Sequence, residues 1–263
     1  MAVPFFSILM PTHLRAALLR RALQSLQAQT FQDFELILVA DAWDCESATV
    51  AAELLRDVDC FVKRSGKSGP ALSRNEGLVR ARGEWVIFLD DDDSFAPHHL
   101  AAVHARTQAS SWPVLFTDCE VVTEDRTQPG MPALSRQKVE LAQHDLRSLW
   151  VKNFIPNHAL AYRRTLLDGL SFDPHMASLE DWEFLLGVCS RSMPRHFAGG
   201  GVVIHKDVNP GTSRGTQESS KDITVVLDYI YAYRRWPAPE PELQAQRNAL
   251  LAGVGLALPL LWF

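Results

Sequence analysis

Apolar positions along this chain switch between two periods. Phe5, Phe6, Ile8, Leu9 and Met10 form a short apolar run stopped by Pro11-Thr12, the pattern of a buried strand. Leu18, Leu19, Ala22, Leu23 and Leu26 then recur at helical spacing, which predicts a helix over 14–28. Residues 34–40 (Phe-Glu-Leu-Ile-Leu-Val-Ala) read as a second strand with Asp41 at its end. A helix over 47–56, a short strand over 60–62 and a helix from Pro70 to Arg82, ended by Gly83, follow. Trp85 to Leu89 is again a continuous apolar run. The order β-α-β-α-β-α-β within the first hundred residues predicts parallel strands with right-handed helical crossovers.

The second half is less regular. A helix is expected over 97–108, a strand over 113–118 and another through Val121-Val122. Residues 124–137 look like loop, 139–150 like helix, 158–162 like strand and 163–167 like a helical turn. Glu180-Asp181 opens an apolar helix, and 202–205 reads as a strand. Lys206 to Ser220 has the polar, glycine-bearing composition of a mobile loop, expected to order over a bound ligand. Helices are expected over 221–235 and 242–263, separated by a proline-rich linker. The expected organisation is one catalytic domain over 1–220, with a nucleotide-binding half (1–125) and an acceptor half (126–220), then a helical extension over 221–263.

The apolar run at Trp85 breaks at once into Asp90-Asp91-Asp92-Asp93. Adjacent carboxylates repel one another and resist desolvation. Such a run is often a solvated turn. At the end of a buried strand it points instead to a hard divalent cation, Mg2+ or Mn2+, with a phosphate beyond it. Ligands of open α/β sheets bind at this edge, beyond the carboxyl ends of the strands. Thr12 and Asp41 would share it, offering a hydroxyl and a carboxylate to a nucleotide. Their alternative roles are a turn residue for Thr12 and a helix cap for Asp41.

Composition narrows the possibilities. The chain has 263 residues, 47% hydrophobic and 22% charged, ample for one large core. A net charge of -5 supplies no field for a phosphate backbone and argues against nucleic acid as a partner. Four scattered cysteines without a C-x-x-C pair fit a reduced, cytoplasmic protein and offer no zinc spacing. The first apolar run has no basic segment before it and reads as a strand, not a signal peptide. The stretch 250–263 is apolar and too short to span a bilayer. It is expected to pack on the domain or form a dimer interface, with peripheral contact at the inner face of the membrane as the alternative.

Five landmarks carry a family resemblance: Ser7-Ile8-Leu9-Met10-Pro11-Thr12; the segment 29–39; Ser73-Arg74-Asn75-Glu76-Gly77; Phe88-Leu89-Asp90-Asp91-Asp92-Asp93; and Glu180-Asp181-Trp182-Glu183. In order and spacing they resemble the family 2 glycosyltransferases. The resemblance implies the GT-A fold, a Rossmann-like α/β architecture with a mixed, mostly parallel sheet. It also implies an inverting, metal-dependent hexosyl transfer from a nucleotide-sugar, with a UDP-sugar as the expected donor, to a hydroxyl of a glycan, lipid-linked or other acceptor in cell-envelope synthesis. By position, Pro11, Thr12 and Asp41 would contact the base, Arg74 and Asn75 would lie near the nucleotide, and Asp91 would belong to the same nucleotide set. Asp90 and Asp92 match the D-x-D pair, with Asp92 as direct ligand to Mn2+ or Mg2+. His205 resembles a late metal-site residue, although a histidine at a strand end also serves purely structural roles. Asp181 matches the catalytic base; its alternative is a cap on the helix it opens.

The sequence departs from the family after the second strand, where Ala40-Asp41-Ala42-Trp43 replaces Asp-Asp-Gly-Ser. The rival readings are a nucleotidyltransferase, which would need a glycine-rich basic loop after the first strand, and a binding-only domain of the same fold.

Overall fold

The structure, a computed structural model, describes residues 3–209 and 223–256. Its first half alternates β1 (Phe6–Thr12), α1 (Ala16–Gln27), β2 (Phe34–Ala40), α2 (Cys45–Leu54), β3 (Cys60–Lys63), α3 (Pro70–Arg80) and β4 (Trp85–Phe88). The second half adds β5 (Ser94–Phe95), α4 (His99–Gln108), β6 (Val114–Phe116), β7 (Cys119–Glu124) and β8 (Ala133–Val139). Then come β9 (Leu160–Arg163), α5 (Glu180–Cys189), β10 (Arg195–His196), β11 (Val202–Asp207), α6 (Ile223–Arg235) and α7 (Pro241–Gly253).

Seven strands form the central sheet in the order β10-β6-β9-β4-β1-β2-β3, and four form a smaller sheet in the order β5-β11-β7-β8. The fold is α/β, and the strands β4, β1, β2 and β3 run parallel as the alternating pattern predicts. Strand β9 is inserted antiparallel to both β4 and β6. All of β2 and β4 is buried, which accounts for their unbroken apolar runs.

Pro11 does not stop the first strand. Strand β1 continues through Thr12, in register with Ala40 of β2. The carbonyl of Leu9 accepts from Leu89 N, so Leu9 and, two residues on, Pro11 address the β4 side. There β4 has already given way to the aspartates, and no ladder bond is lost by lacking an N–H. Gly83 does not end the preceding helix, which closes at Arg80. A Cβ on Gly83 would lie 2.5 Å from Ser7 N, so only glycine admits the close approach to β1.

Strand β8 falls where the sequence suggests loop. It pairs with β7 from Cys119↔Val139 to Glu124↔Ala133, and residues 133–138 are exposed. A solvated edge strand has no apolar alternation to betray it. The helix expected over 139–150 reduces to a 3₁₀ turn, Leu146–Trp150, with Asp145 accepting from Arg147 N at 2.9 Å. Asp44 caps α2 by accepting from Ser47 N, so that helix starts two residues earlier than its apolar positions suggest.

The C-terminal helices join the same hydrophobic cluster as the sheet, through Val225, Val226, Tyr229, Ala232, Tyr233, Leu243 and Leu251. Arg247, fully buried on α7, donates to the carbonyls of Trp150 (2.7 Å), Trp236 (2.9 Å) and Tyr233 (3.3 Å). Helix α7 ends at Gly253, short of the expected 263; residues 257–263 lie outside the described residues, as do 210–220 of the predicted mobile loop. No described helix is long and apolar enough to cross a membrane.

Candidate active site

The ends of β1, β2 and β4 converge, as expected of parallel neighbours, and each delivers part of the cluster. The four aspartates divide in two. Asp91 is wholly buried and turns toward β1: it accepts from Thr12 Oγ1 at 2.7 Å and from His13 N at 3.3 Å, and it pairs with Arg15. Asp92 pairs with Arg15 at 3.0 Å and with Arg126 at 3.3 Å. These guanidiniums, and not a metal, are the cations that face Asp91 and Asp92.

Asp90 and Asp93 lie with His158. One ligand atom from each falls within 4.8 Å of the other two. His158 comes from a 3₁₀ turn, Asn157–Ala159, where a strand was expected. Its Nε2 stands 3.4 Å from Asp93 Oδ2, yet neither ring nitrogen makes a hydrogen bond. Burial lowers its pKa, favouring the neutral imidazole that ligates metals. Burial, reinforced by Asp92 and Asp90, pushes the Asp93 carboxyl well above its ordinary value. Burial also acts upward on Asp90, but Arg74 and His158 overcome it and hold this carboxyl below its ordinary value. An oxygen from each carboxylate and a histidine nitrogen without a hydrogen bond are a donor set suited to Mn2+ or Mg2+.

Arg74 joins the strand edge to α5. It donates to Asp90 Oδ1 at 2.9 Å and to Glu180 Oε1 at 2.7 Å, and it is buried. Asp181 follows on the first turn of α5, its Oδ1 accepting from Trp182 N at 2.6 Å. Burial, then the neighbouring Glu180, push the Asp181 carboxyl up to about 7 against the pull of Arg74. A carboxyl so placed exchanges protons near neutrality, as a general base must. Leu179, which caps α5, is held at φ +59°.

The remaining expected residues have well-defined partners. Asp41 is engaged by His13, by Gly69 N and, at 3.9 Å, by Arg64; it ties β2 to the loop before α3. Asn75 uses both ends of its amide on the backbone of Phe172, at 2.8 Å each. His205 bonds Ser94 Oγ at 2.9 Å and Glu124 at 3.0 Å, and its backbone N–H donates to Asp93 at 2.7 Å. It therefore supports Asp93 from β11. Pro11 lies one residue before Thr12 at the β1 end. Trp43, exposed beyond β2, lies over Lys63 Nζ at 3.3 Å. Sequence reasoning missed Arg15, Arg126 and His158; it placed Asp93 in the acidic run but took Asp90 and Asp92 as the metal pair. Arg15 follows a recognisable motif, but nothing local to Arg126 or His158 signals the site.

The fold is that of the GT-A glycosyltransferases. Superposition covers 94% of this chain and 71% of S. aureus TarS 1–349 in complex with UDP-GlcNAc, with a TM-score of 0.68 and 18% identity. It covers all of this chain and 78% of a mannosyltransferase from Pyrobaculum calidifontis in complex with GDP-Man and Mn2+, at 0.61 and 17%. Residues 7–170 match Glycosyl transferase family 2. The chain belongs to this family. It is 33% identical over 175 residues to the GalNAc(5)-diNAcBac-PP-undecaprenol beta-1,3-glucosyltransferase of Campylobacter jejuni, a match spanning 65% of this chain and 55% of that protein. It is 25% identical to the colanic acid biosynthesis glycosyl transferase WcaA of Escherichia coli, over 88% of this chain and 81% of that one. The chain thus spans about half the length of the first of these relatives.

Proposed function

We propose that this enzyme is an inverting, cation-dependent transferase moving a hexosyl group from a UDP-sugar to a hydroxyl of a lipid-linked or other cell-envelope glycan. One observation carries it: Asp181, with a pKa near neutrality, is joined through Glu180 and Arg74 to the Asp90, Asp93 and His158 cluster. The UDP-GlcNAc complex and the polyprenol-linked substrate of the relatives named above support the donor and acceptor classes.

In this reading Asp181 accepts the proton of the acceptor hydroxyl. The oxygen forms its bond to the anomeric carbon on the face opposite the diphosphate. The bond from that carbon to the diphosphate breaks, and its electron pair leaves with the nucleotide. Asp90, Asp93 and His158 would hold Mn2+ or Mg2+, which when bound neutralises charge on the departing diphosphate. Asp92 reaches that cation only by exchanging Arg15 and Arg126 for it. Arg74 keeps Asp90 ionised and fixes its distance from α5. Thr12 and Asp41 hold the base-side loops in place.

The test combines product and variant. UDP release should depend on both acceptor and divalent cation. Asp181→Asn should lower kcat by ~100-fold or more while donor affinity holds; asparagine caps a helix about as well as aspartate. Normal turnover by Asp181→Asn, or release of pyrophosphate in place of UDP, would overturn the reading.

A further inference from the structure

The segment 172–180 delivers Asp181 to the site, and it is held from both sides. Asn75 on α3 clamps its start at Phe172, and Lys67 donates to the carbonyl of Pro174 at 3.3 Å. Its far end depends on α6. One oxygen of Asp228 accepts from Ala177 N at 3.0 Å, Ser178 N at 2.7 Å and Ser178 Oγ at 3.1 Å. Two consecutive N–H groups turned on one carboxylate oxygen form an anion-binding nest, here filled by the protein itself. Tyr231, three residues further along α6, donates to Asp173 at 2.5 Å.

The position of this nest gives it a consequence. The next residue, Leu179, sits at φ +59°, a conformation leucine adopts only when its surroundings impose it. That backbone turn sets the direction in which α5 starts, and so where the carboxylate of Asp181 stands. Without Asp228, two backbone donors lose their acceptor and Leu179 loses the constraint on its amino side. The helix itself would persist, because Trp182, Phe184, Leu185, Leu186 and Val188 stay buried behind it. The expected result is a misplaced base on an otherwise intact enzyme, and displacement by about an ångström costs on the order of 100-fold.

We infer that Asp228 is a positioning residue for glycosyl transfer: from α6 it fixes the 177–179 turn and thereby sets Asp181 against the acceptor hydroxyl. This rests on the reading of Asp181 as the base. It gives α6 a part in the reaction although it supplies no group to the nucleotide side.

The experiment is a double-mutant cycle on the full chain, read as kcat and donor KM with Mn2+ present. Asp228→Ala should lower kcat by roughly 10- to 100-fold with donor KM within about twofold of wild type, and Asp228→Asn, which keeps an acceptor oxygen, should recover most of it. In the Asp181→Asn background Asp228→Ala should cost nothing further, because it acts through the group already removed. Val225→Ala, a core change on the same helix, controls for stability and should lower Tm without lowering kcat. Should Asp228→Ala not fold, Ser178→Ala removes one of the three bonds and should show a smaller loss with the same non-additivity. Additive losses in the cycle, or normal kcat in Asp228→Ala and Ser178→Ala, would overturn the proposal. Normal turnover of Asp181→Asn alone would instead overturn the assignment of the base, so the two failures are distinct.

Discussion

The two inner and two outer members of the aspartate tetrad meet opposite fates. Asp91 and Asp92 are matched by Thr12, Arg15 and Arg126, so their charge is answered within the protein. Asp90 and Asp93, at either end, converge on a histidine whose nitrogens have no hydrogen-bond partner. Four identical side chains in a row thus serve two purposes. A tight turn, with Asp93 N bonded to Asp90 O at 3.1 Å, brings the outer pair to one side and sends the inner pair toward Thr12 and Arg15 at the end of β1 and Arg126 beyond β7. Counting carboxylates therefore says little about which of them bind a cation; Arg15 and Arg126 occupy Asp91 and Asp92, whereas Asp90, although paired with Arg74, still lies with Asp93 and His158.

The largest expected effect tests this division directly. Asp93→Ala should lower turnover by roughly 10³-fold, the equivalent of several kcal/mol, and abolish the rise in Tm on adding Mn2+. Asp92→Ala should lower turnover less and retain that rise. The reverse order would show that the cation displaces Arg15 and Arg126 from Asp92.

A pH profile comes next. Asp181 must be ionised to accept a proton, and its carboxyl is pushed up to about 7. Wild-type kcat should therefore fall about tenfold per unit below that point and level off above it. A flat profile between pH 6 and 8 would separate Asp181 from the base.

Asp91→Asn probes the inner pair through stability. Burial, resisted by Arg15 and Thr12 and aided by Asp92 and Asp90, pushes the Asp91 carboxyl up to about 6. A group raised in the folded state stabilises it fully below its unfolded value, near ~4, and that contribution is lost as pH rises through about 6. Asparagine does not titrate. The mutant should thus gain on wild type, in Tm, as pH rises from 5 to 7; a constant difference would place the titration elsewhere.

The smallest effect concerns the turn that delivers Arg15. Leu14, half exposed, stands at φ +51°, where asparagine or glycine is at ease and leucine is not. Leu14→Asn should stabilise the fold by about 0.5–1 kcal/mol in chemical denaturation, with kcat unchanged.

The sheet was legible because its strands are buried on both faces: β1, β2 and β4 announce themselves as apolar runs, and the aspartates mark an edge. Strand β8 was not, since exposure leaves it no alternation, and the segment around His158 was not, since a 3₁₀ turn carries no period. Residues with a motif of their own, such as Asp90 and Asp181, could be named in advance. Arg126 and His158 could not, because they enter the site by tertiary packing from distant loops. The partners of Asp41, Asn75 and His205 were likewise invisible to spacing: each expected ligand residue turns out to hold neighbouring backbone or side chains.

Arg247 has a consequence for how this chain can vary. Its guanidinium fastens α7 through three main-chain carbonyls, so substitutions at Trp150, Tyr233 and Trp236 would leave all three acceptors in place, although Tyr233 also lends its ring at 4.2 Å. The tolerance is not mutual. Lysine carries its donors on a single nitrogen and cannot span three carbonyls as a planar fork does. The specificity of this joint is concentrated in one codon, while its other half is written in backbone that every residue shares.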